Sequence, residues 1–338
     1  MDTFRLRPYS PSEAQAVVDV INTASTRTVG FPRAVVDATG NIWSHRYVPF
    51  SSEKIVAVNQ RDEIVGYAYF TGDNNIVAET GCAVHPDYWQ RGIGTALLKW
   101  AEGRATDTSR LAPAGIRTVL QTSPYEAETS VIALLKEQGY SAVREWVHLV
   151  IELGEAPVVS SLPIGLILRE MDLDHDWEIV GPAMEEAFTD HWGKISAEYL
   201  ESEHKEREVN DSEVRPEPPT DDSYSNAPGH CFIVLDGDTV AGGILCNARL
   251  VERSDTGRVG SIFVRPVYRR RGIARALMLA AFDAFWKNGL RRIITDTDAN
   301  SFTDSTRLYK GLGMKPYRSE FTYEKEIRPG KEVRQLEV

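Results

Sequence analysis

The residues best placed to do chemistry lie in one basic, glycine-containing turn: Val264-Arg265-Pro266-Val267-Tyr268-Arg269-Arg270-Arg271-Gly272-Ile273-Ala274-Arg275. A β-branched run ends at Val264 and a helical pattern opens after Gly272, so the turn joins a strand to a helix. Small residues at 272 and 274 let backbone N–H groups come close to a ligand. The helix N-terminus adds further N–H groups and the positive end of its dipole. Three consecutive arginines add charge. This is anion-binding chemistry, suited to a phosphate or pyrophosphate. The spacing is neither GxxxxGK[ST] nor GxGxxG, which argues against nucleoside triphosphates and dinucleotides. An ordinary strand-to-helix turn reads the same way, so the pattern alone leaves both open.

The elements that must position this turn occur twice. KIVAVNQRDEIVGYAYF, CAVHPDYWQRGIGTALLKWAEGRA and TSVIALLKEQGYSAVREWVHLVIEL follow one another in the first half. CFIVLDGDTVAGGILC, IFVRPVYRRRGIARALMLAAFDAF and DSTRLYKGLGMKPYRSEFTYEKEI follow in the second. Gly92 recurs as Gly272 and Gly139 as Gly313, so each unit is roughly half the chain. Each copy reads as an amphipathic helix (13–21 or 177–188), two strands joined by a tight polar turn, and a third strand ending at Val84 or Val264. The glycine turn and a helix come next (95–103 or 275–286). A further strand, a helix ending at Gly139 or Gly313 and a closing strand complete it. The fold class is α/β (α+β): two tandem domains, each a bent, mostly antiparallel mixed sheet flanked by helices. The expected division is 1–155 and 163–330, with the linker in GEAPVVSSLP at 154–163.

Length and composition agree. The 338 residues suggest about two domains. A net charge of −11 argues against nucleic acid or an anionic membrane as partner. No run of 18 apolar residues occurs and the N-terminus does not read as a secretory signal, so the expected location is cytoplasmic. Cys82, Cys231 and Cys246 are odd in number, form no CxxC and sit in strand-like runs; three buried thiols are expected. The seven histidines form no HExxH, so no metal site is expected. Residues 201–222 carry nine acids against three bases. They read as a solvated surface loop or as a flap attracting cationic substrates.

R-R-R-G-I-A-R-A-L resembles the acetyl-CoA pyrophosphate loop of the GCN5-related N-acetyltransferases, [Q/R]-x-x-G-x-[G/A], with Arg269, Gly272 and Ala274 in the defined positions. S-T-R-L-Y-K-G-L-G-M (305–314) is similar to that family's C-terminal helix. The resemblance covers most of the chain, as a tandem. It implies acetyl-CoA as cofactor, held by Arg269, Arg270, Arg271, Gly272, Ile273, Ala274 and Arg275, with Ile262, Phe263 and Val264 as the splayed strand supplying a carbonyl-binding N–H. Asn300 is a further cofactor candidate. Val84, Gln90, Arg91, Gly92, Ile93, Gly94 and Thr95 are the first copy's counterparts.

The resemblance also implies that Tyr309 is the general acid protonating the departing thiolate. From its spacing alone, between Leu308 and Leu312, it reads as a core residue. Its counterpart Leu135 has no proton to give, and Trp89 stands where the family has Gln or Arg. The first domain is therefore expected to be degenerate and the second catalytic. The strand before the second loop carries no acid and has Arg258 where a carboxylate would be expected. Glu252, Asp255 and His191 are the remaining candidates for moving the amine proton. Glu79, in the first copy, reads as structural. His191 and Trp192 read either as a helix end capped by Gly193 or as a wall of the acceptor site. Asp304 and Ser305 are expected to cap the last helix. The implied activity is acetyl transfer from acetyl-CoA to a primary amine of a small molecule, a cationic one fitting the acidic segment better than an acidic one, by a monomer or homodimer. A non-catalytic acyl-CoA-binding protein and a peptide or protein acetyltransferase are the alternatives.

Overall fold

The computed structural model describes residues 4–36, 40–44, 53–72, 75–159, 162–195, 228–248, 250, 253–301 and 305–336. The acidic segment 201–222, Glu252 and Asp304 lie outside them. The chain divides into two units. The first comprises Met1–Trp146 with Arg318–Glu332, the second Val147–Tyr317 with Val333–Val338.

In the first unit, β1 (Arg5–Pro8) precedes α1 (Ala14–Val29), whose Val17, Val18 and Val20 are buried. Gly30 ends α1 in the left-handed region, its N–H donating to the Ser25 and Thr26 carbonyls. β2 (Ala34–Val36) and β3 (Ile42–Ser44) form a small ribbon. The main sheet continues through β4 (Glu53–Val58), β5 (Ile64–Thr71) and β6 (Val77–Val84). Then come α2 (Ile93–Ser109), β7 (Thr118–Thr122), α3 (Thr129–Glu137) and β8 (Ser141–Glu152). β1, β4, β5 and β6 are antiparallel neighbours, and β7 runs parallel to β6.

In the second unit, β9 (Leu166–Glu170) and α4 (Trp177–Phe188) precede β10 (Pro228–Asp236), β11 (Thr239–Ala248) and β12 (Thr256–Val264). α5 (Ile273–Lys287), β13 (Arg292–Asp298), α6 (Ser305–Gly311) and β14 (Lys315–Arg328) follow. The order β9-β10-β11-β12 is antiparallel and β13 is parallel to β12, as in the first unit. α5 buries Ala276, Leu277, Ala280, Ala281 and Ala284, an i, i+4 pattern that packs a narrow helix face against the sheet. Phe282 and Phe285 add large buried rings, each contributing about 1.5–3 kcal/mol by leaving water.

The units are not the consecutive halves expected from the repeat. The changeover falls at Trp146/Val147, ahead of the Pro-rich stretch at 154–163. The strand beside β7 in the first unit is Arg318–Arg328 of β14, with Tyr323 opposite Thr122 and Lys325 opposite Leu120. Its Tyr323, Phe321 and Ile327 pack with Leu98, Leu120, Leu135 and Tyr140. The 147–152 part of β8 lies beside β13 in the second unit, where Leu149, Val147 and Ile151 join the core of Leu277, Phe282 and Ile293. Because the two copies share one pattern, the closing strand of each carries the alternation that either sheet edge requires. Periodicity therefore does not say which edge it joins.

Candidate active site

The two glycine turns have one backbone. A single 3₁₀ turn (Pro86–Tyr88 or Pro266–Tyr268) leads to an extended residue, Trp89 at φ −62°, ψ 156° or Arg269 at φ −61°, ψ 159°. Gln90 (φ 60°) and Arg270 (φ 63°) then enter the left-handed region, and Gly92 (φ 81°) and Gly272 (φ 80°) follow in it. A left-handed residue with a Cβ costs about 1–2 kcal/mol, and such strain concentrates at binding sites. The first intrahelical bonds are Ala96 N–H to Gly92 O (3.0 Å) and Ala276 N–H to Gly272 O (3.1 Å). The amides of Ile93, Gly94 and Thr95, and of Ile273, Ala274 and Arg275, precede them and form the anion-facing end of each helix.

Behind each turn the sheet splits. β6 and β7 pair only from Val77↔Val119 to Glu79↔Gln121, while β6 runs on to Val84. β12 and β13 pair only from Thr256↔Arg292 to Arg258↔Ile294, while β12 runs on to Val264. The unpaired edges of β6 and β12 leave backbone groups available to an extended ligand. A strand-like pantetheine with its pyrophosphate on the turn fits this donor set.

In the first unit the split opens into a cavity of about 640 Å³. Val84, Gln90, Gly92, Ile93, Gly94 and Thr95 line it together; Arg91 does not, and donates instead to the Asp87 carbonyl (2.8 Å). The far wall comes from α1 and β5, with Ile21, Ala24, Tyr67 and Tyr69. Leu135 lines the cavity at the place corresponding to Tyr309. Cys82 corrects the expectation of three buried thiols. It carries accessible surface and that surface is cavity wall, whereas Cys231 and Cys246 are buried. Enclosed by protein, the Cys82 thiol is pushed up to about 12 by burial, with a Thr80 hydrogen bond acting the other way.

In the second unit Tyr309 is only 3% exposed and packs with Ile273, Leu277 and Phe282. Burial pushes its phenol up to about 12. A hydrogen bond with Thr295 opposes that rise and the Asp296 charge adds to it. Arg258 on β12 and Asp296 on β13 are an ion pair at 2.7 Å. Arg269 donates through Nε to the Val264 carbonyl (3.2 Å), through Nη1 to Asp190 (2.9 Å) and through Nη2 to the Ala187 carbonyl (3.0 Å). Its guanidinium thus ties the turn to the end of α4. Phe263 and Ile273 point their side chains into the core and offer the site only backbone. Arg270 and Arg271 are exposed, Arg271 near the Tyr268 ring (5.6 Å), and Arg275 donates to the Gly311 carbonyl (3.2 Å). Ile262 and Val264 are half-buried on the unpaired part of β12.

Two family-model matches coincide with these two units: the Acetyltransferase (GNAT) family model matches residues 25–140 and again 192–314, more than half of the chain. The chain belongs to the GNAT acetyltransferase family. It is a tandem GNAT protein. The GCN5-related N-acetyltransferase of Sphaerobacter thermophilus superposes with a TM-score of 0.72 at 26% identity, covering 98% of each chain. A tandem GNAT protein from the clavulanic acid biosynthesis pathway gives 0.70 at 16% identity, covering 97% of this chain and all of that one, a likeness of fold. The mycothiol acetyltransferase of Renibacterium salmoninarum is 26% identical over 249 residues, spanning 71% of this chain and 65% of that protein. The match thus covers less than two thirds of that relative's length.

Within this GNAT frame, His191 follows α4 and bonds Asp190 through Nδ1 (3.2 Å), its ring edge-on to Phe188 at 4.7 Å. Burial lowers the imidazole below its ordinary value against the pull of Asp190, which favours the neutral ring. Burial works to raise the Asp190 carboxyl, but Arg269 and His191 hold it low. Gly193 is not the cap of α4, which ends at Phe188 with Thr189 as its C-cap; Gly193 (φ 82°) lies four residues beyond Thr189, its N–H donating to the Gln335 carbonyl (2.7 Å). Asp255 sits before the first residue of β12, paired with Arg253 at 2.7 Å. At ~3.3 Å per residue it lies roughly 30 Å from the turn at the other end of that strand. Asn300 is exposed after β13, its N–H donating to Asp298 (2.9 Å), and is not brought to the turn by any side-chain bond among the described residues. Among those residues no group of three or more His, Cys, Asp or Glu gathers as metal ligands, and no helix is long and apolar enough to cross a membrane. Thr295, Asp296, Asp190 and Cys82 were missed from sequence as site residues. A hydroxyl or carboxylate on an alternating strand carries no spacing signature.

Proposed function

We propose that this tandem GNAT protein is an acetyl-CoA-dependent N-acetyltransferase acting on a primary amine of a small molecule in a ternary complex, with its reaction centre in the second unit. The observation that carries the reading is the pairing of one turn geometry with two different partners: Tyr309 stands behind the turn in the second unit, Leu135 in the first.

The amides of Gly272, Ile273 and Ala274 and the unpaired edge of β12 hold the cofactor, and an N–H within Ile262–Val264 orients the acyl carbonyl. Bound acetyl-CoA supplies the activated acyl group. Tyr309 Oη holds the proton that the departing sulfur takes up. An alkylammonium, with a pKa of about 10, must lose a proton before attack. His191, held towards its neutral form and beside Asp190, is the group assigned to carry it away. Glu252 lies outside the described residues and is not assigned a role.

The first unit binds the same cofactor through Gly92, Ile93, Gly94 and the edge of β6, without an acid to complete turnover. Its cavity supports holding the cofactor rather than using it. Acceptor-dependent release of CoA thiol from acetyl-CoA across a panel of primary amines, polyamines and amino sugars included, tests the activity. CoA binding without release from any of them would favour a purely binding protein.

A further inference from the structure

The first unit's cavity crosses the sheet instead of lying on one face of it. Ile93 and Leu135 line it from the α2 and α3 side, and Ile21, Tyr67 and Tyr69 from the α1 side. It crosses at the split. Cys82 and Ala83 both lie beyond the last β6–β7 pair, belong to opposite faces of β6 and both line the cavity. A ligand seated on the turn at Gly92, with its chain along β6, can therefore continue through the sheet towards α1. The volume of about 640 Å³ is in the range that encloses a whole drug-sized ligand, and it leaves room beyond an acetyl group.

The second unit fills the corresponding place. Tyr67 stands opposite Ala83 across β5 and β6. Their counterparts, counted from Val84 and Val264, are Gly243 and Phe263 across β11 and β12. The aromatic ring has changed strands. Phe263 lies over Gly243, where a Cβ would meet the ring at 2.7 Å, and its ring centre is 6.5 Å from that of Phe188 on α4. So a ring on the strand with the unpaired edge covers the split in the second unit, whereas alanine in that place leaves the α1 side open in the first. The open side is hydrocarbon in character. Ser25 Oγ donates to the Phe31 carbonyl (2.9 Å), Thr28 Oγ1 donates to the Ala24 carbonyl (3.0 Å), and Arg33 pairs with Glu128 (2.7 Å). Ile21, Ala24 and Ile42 are left to face a ligand. With Glu128 already paired, a cationic amine fits this side less well than an alkyl chain does.

We propose that the first unit selects an acyl-CoA with a chain longer than acetyl, the chain passing through the split between β6 and β7 onto the wall formed by Ile21, Ala24 and Ile42. The inference rests on the reading that the first unit holds a CoA thioester. It goes beyond that reading in giving the two units different acyl groups: acetyl where Phe263 closes the α4 side, a short alkyl chain where Ala83 leaves the α1 side open. Each methylene moved from water to this wall should tighten binding about fourfold.

The test reads the first cavity alone, through the protection of Cys82 from maleimide in the full chain, with acetyl-CoA, butyryl-CoA and hexanoyl-CoA as probes. Butyryl-CoA should give half-protection at a concentration about tenfold lower than acetyl-CoA, for its two further methylenes. Ala24→Leu puts a larger side chain into the α1 wall at a helical position that suits leucine. It should abolish the advantage of butyryl-CoA and leave protection by acetyl-CoA within about twofold of wild type. Ile21→Ala widens the same wall and should favour hexanoyl-CoA over butyryl-CoA more than wild type does. Each comparison is a ratio between probes on one protein, so a general loss of stability does not mimic it. Equal protection by acetyl-CoA and butyryl-CoA in the wild type overturns the inference and leaves the first unit as an acetyl-CoA site. A butyryl preference that survives Ala24→Leu overturns the path of the chain to α1. Protection by none of the three thioesters overturns the underlying reading that the first unit holds the cofactor.

Discussion

Trp89 does for one turn what Arg269 does for the other. The indole Nε1–H of Trp89 donates to the Val84 carbonyl at 2.7 Å, and Nε–H of Arg269 donates to the Val264 carbonyl at 3.2 Å. Each closes its turn onto the last residue of the strand before it. The substitution that looked like a defect in the first copy keeps the bond that shapes the turn. Trp89→Phe keeps a ring but leaves that carbonyl without its donor, and should cost about 1–3 kcal/mol of stability in chemical denaturation. Trp89→Arg, borrowing the other turn's solution, should cost markedly less.

The glycines of the two turns give independent switches. A Cβ at Gly92 or Gly272 meets nothing within 4 Å, so alanine there strains only the left-handed backbone, by about 1–2 kcal/mol. Calorimetric titration with CoA should show two sites. Gly92→Ala should weaken one about tenfold and leave acetyl transfer intact. Gly272→Ala should weaken the other and lower turnover.

Cys82 reports on the first cavity. Maleimide should label it while Cys231 and Cys246 stay unmodified in the folded protein. Labelling should be slow at neutral pH and quicken as pH rises towards the thiol's value of about 12. Saturating CoA should slow it, read by mass spectrometry. Labelling indifferent to CoA would mean that the cofactor does not enter this cavity.

His191 sets an acid limb. Burial holds its ring below the ordinary 6.5, so the folded state favours the neutral form. The stability this group contributes is therefore fully present above 6.5. It is lost as pH falls from 6.5 down through the depressed folded value. As proton carrier, His191 should also give kcat/KM an acid limb below 6.5, and His191→Gln should remove the limb while lowering the rate. A limb that survives that substitution belongs to another group.

Much of this was legible in the sequence because it is periodic or punctuated. The doubling, the strand-to-helix turns at Gly92 and Gly272 and the contrast of Tyr309 with Leu135 all come from residue type at fixed spacing. What was not legible depends on pairing across the chain. The closing strands fit either sheet edge by pattern, and only the packing of Tyr323 and Phe321, or of Leu149 and Ile151, decides between them. The acid paired with Arg258 is Asp296 on the next strand, a pairing that spacing along one strand does not reveal. Cys82 reads as one more strand residue until the split between β6 and β7 opens a cavity beside it.

The central claim is that the second unit does chemistry through Tyr309. The measurement that tests it most directly is CoA thiol release from acetyl-CoA with the best amine acceptor, comparing wild type with Tyr309→Phe. Loss of the acid should lower kcat by about a hundredfold or more, with acetyl-CoA binding unchanged. Wild-type turnover in Tyr309→Phe would contradict the account and return attention to the first unit.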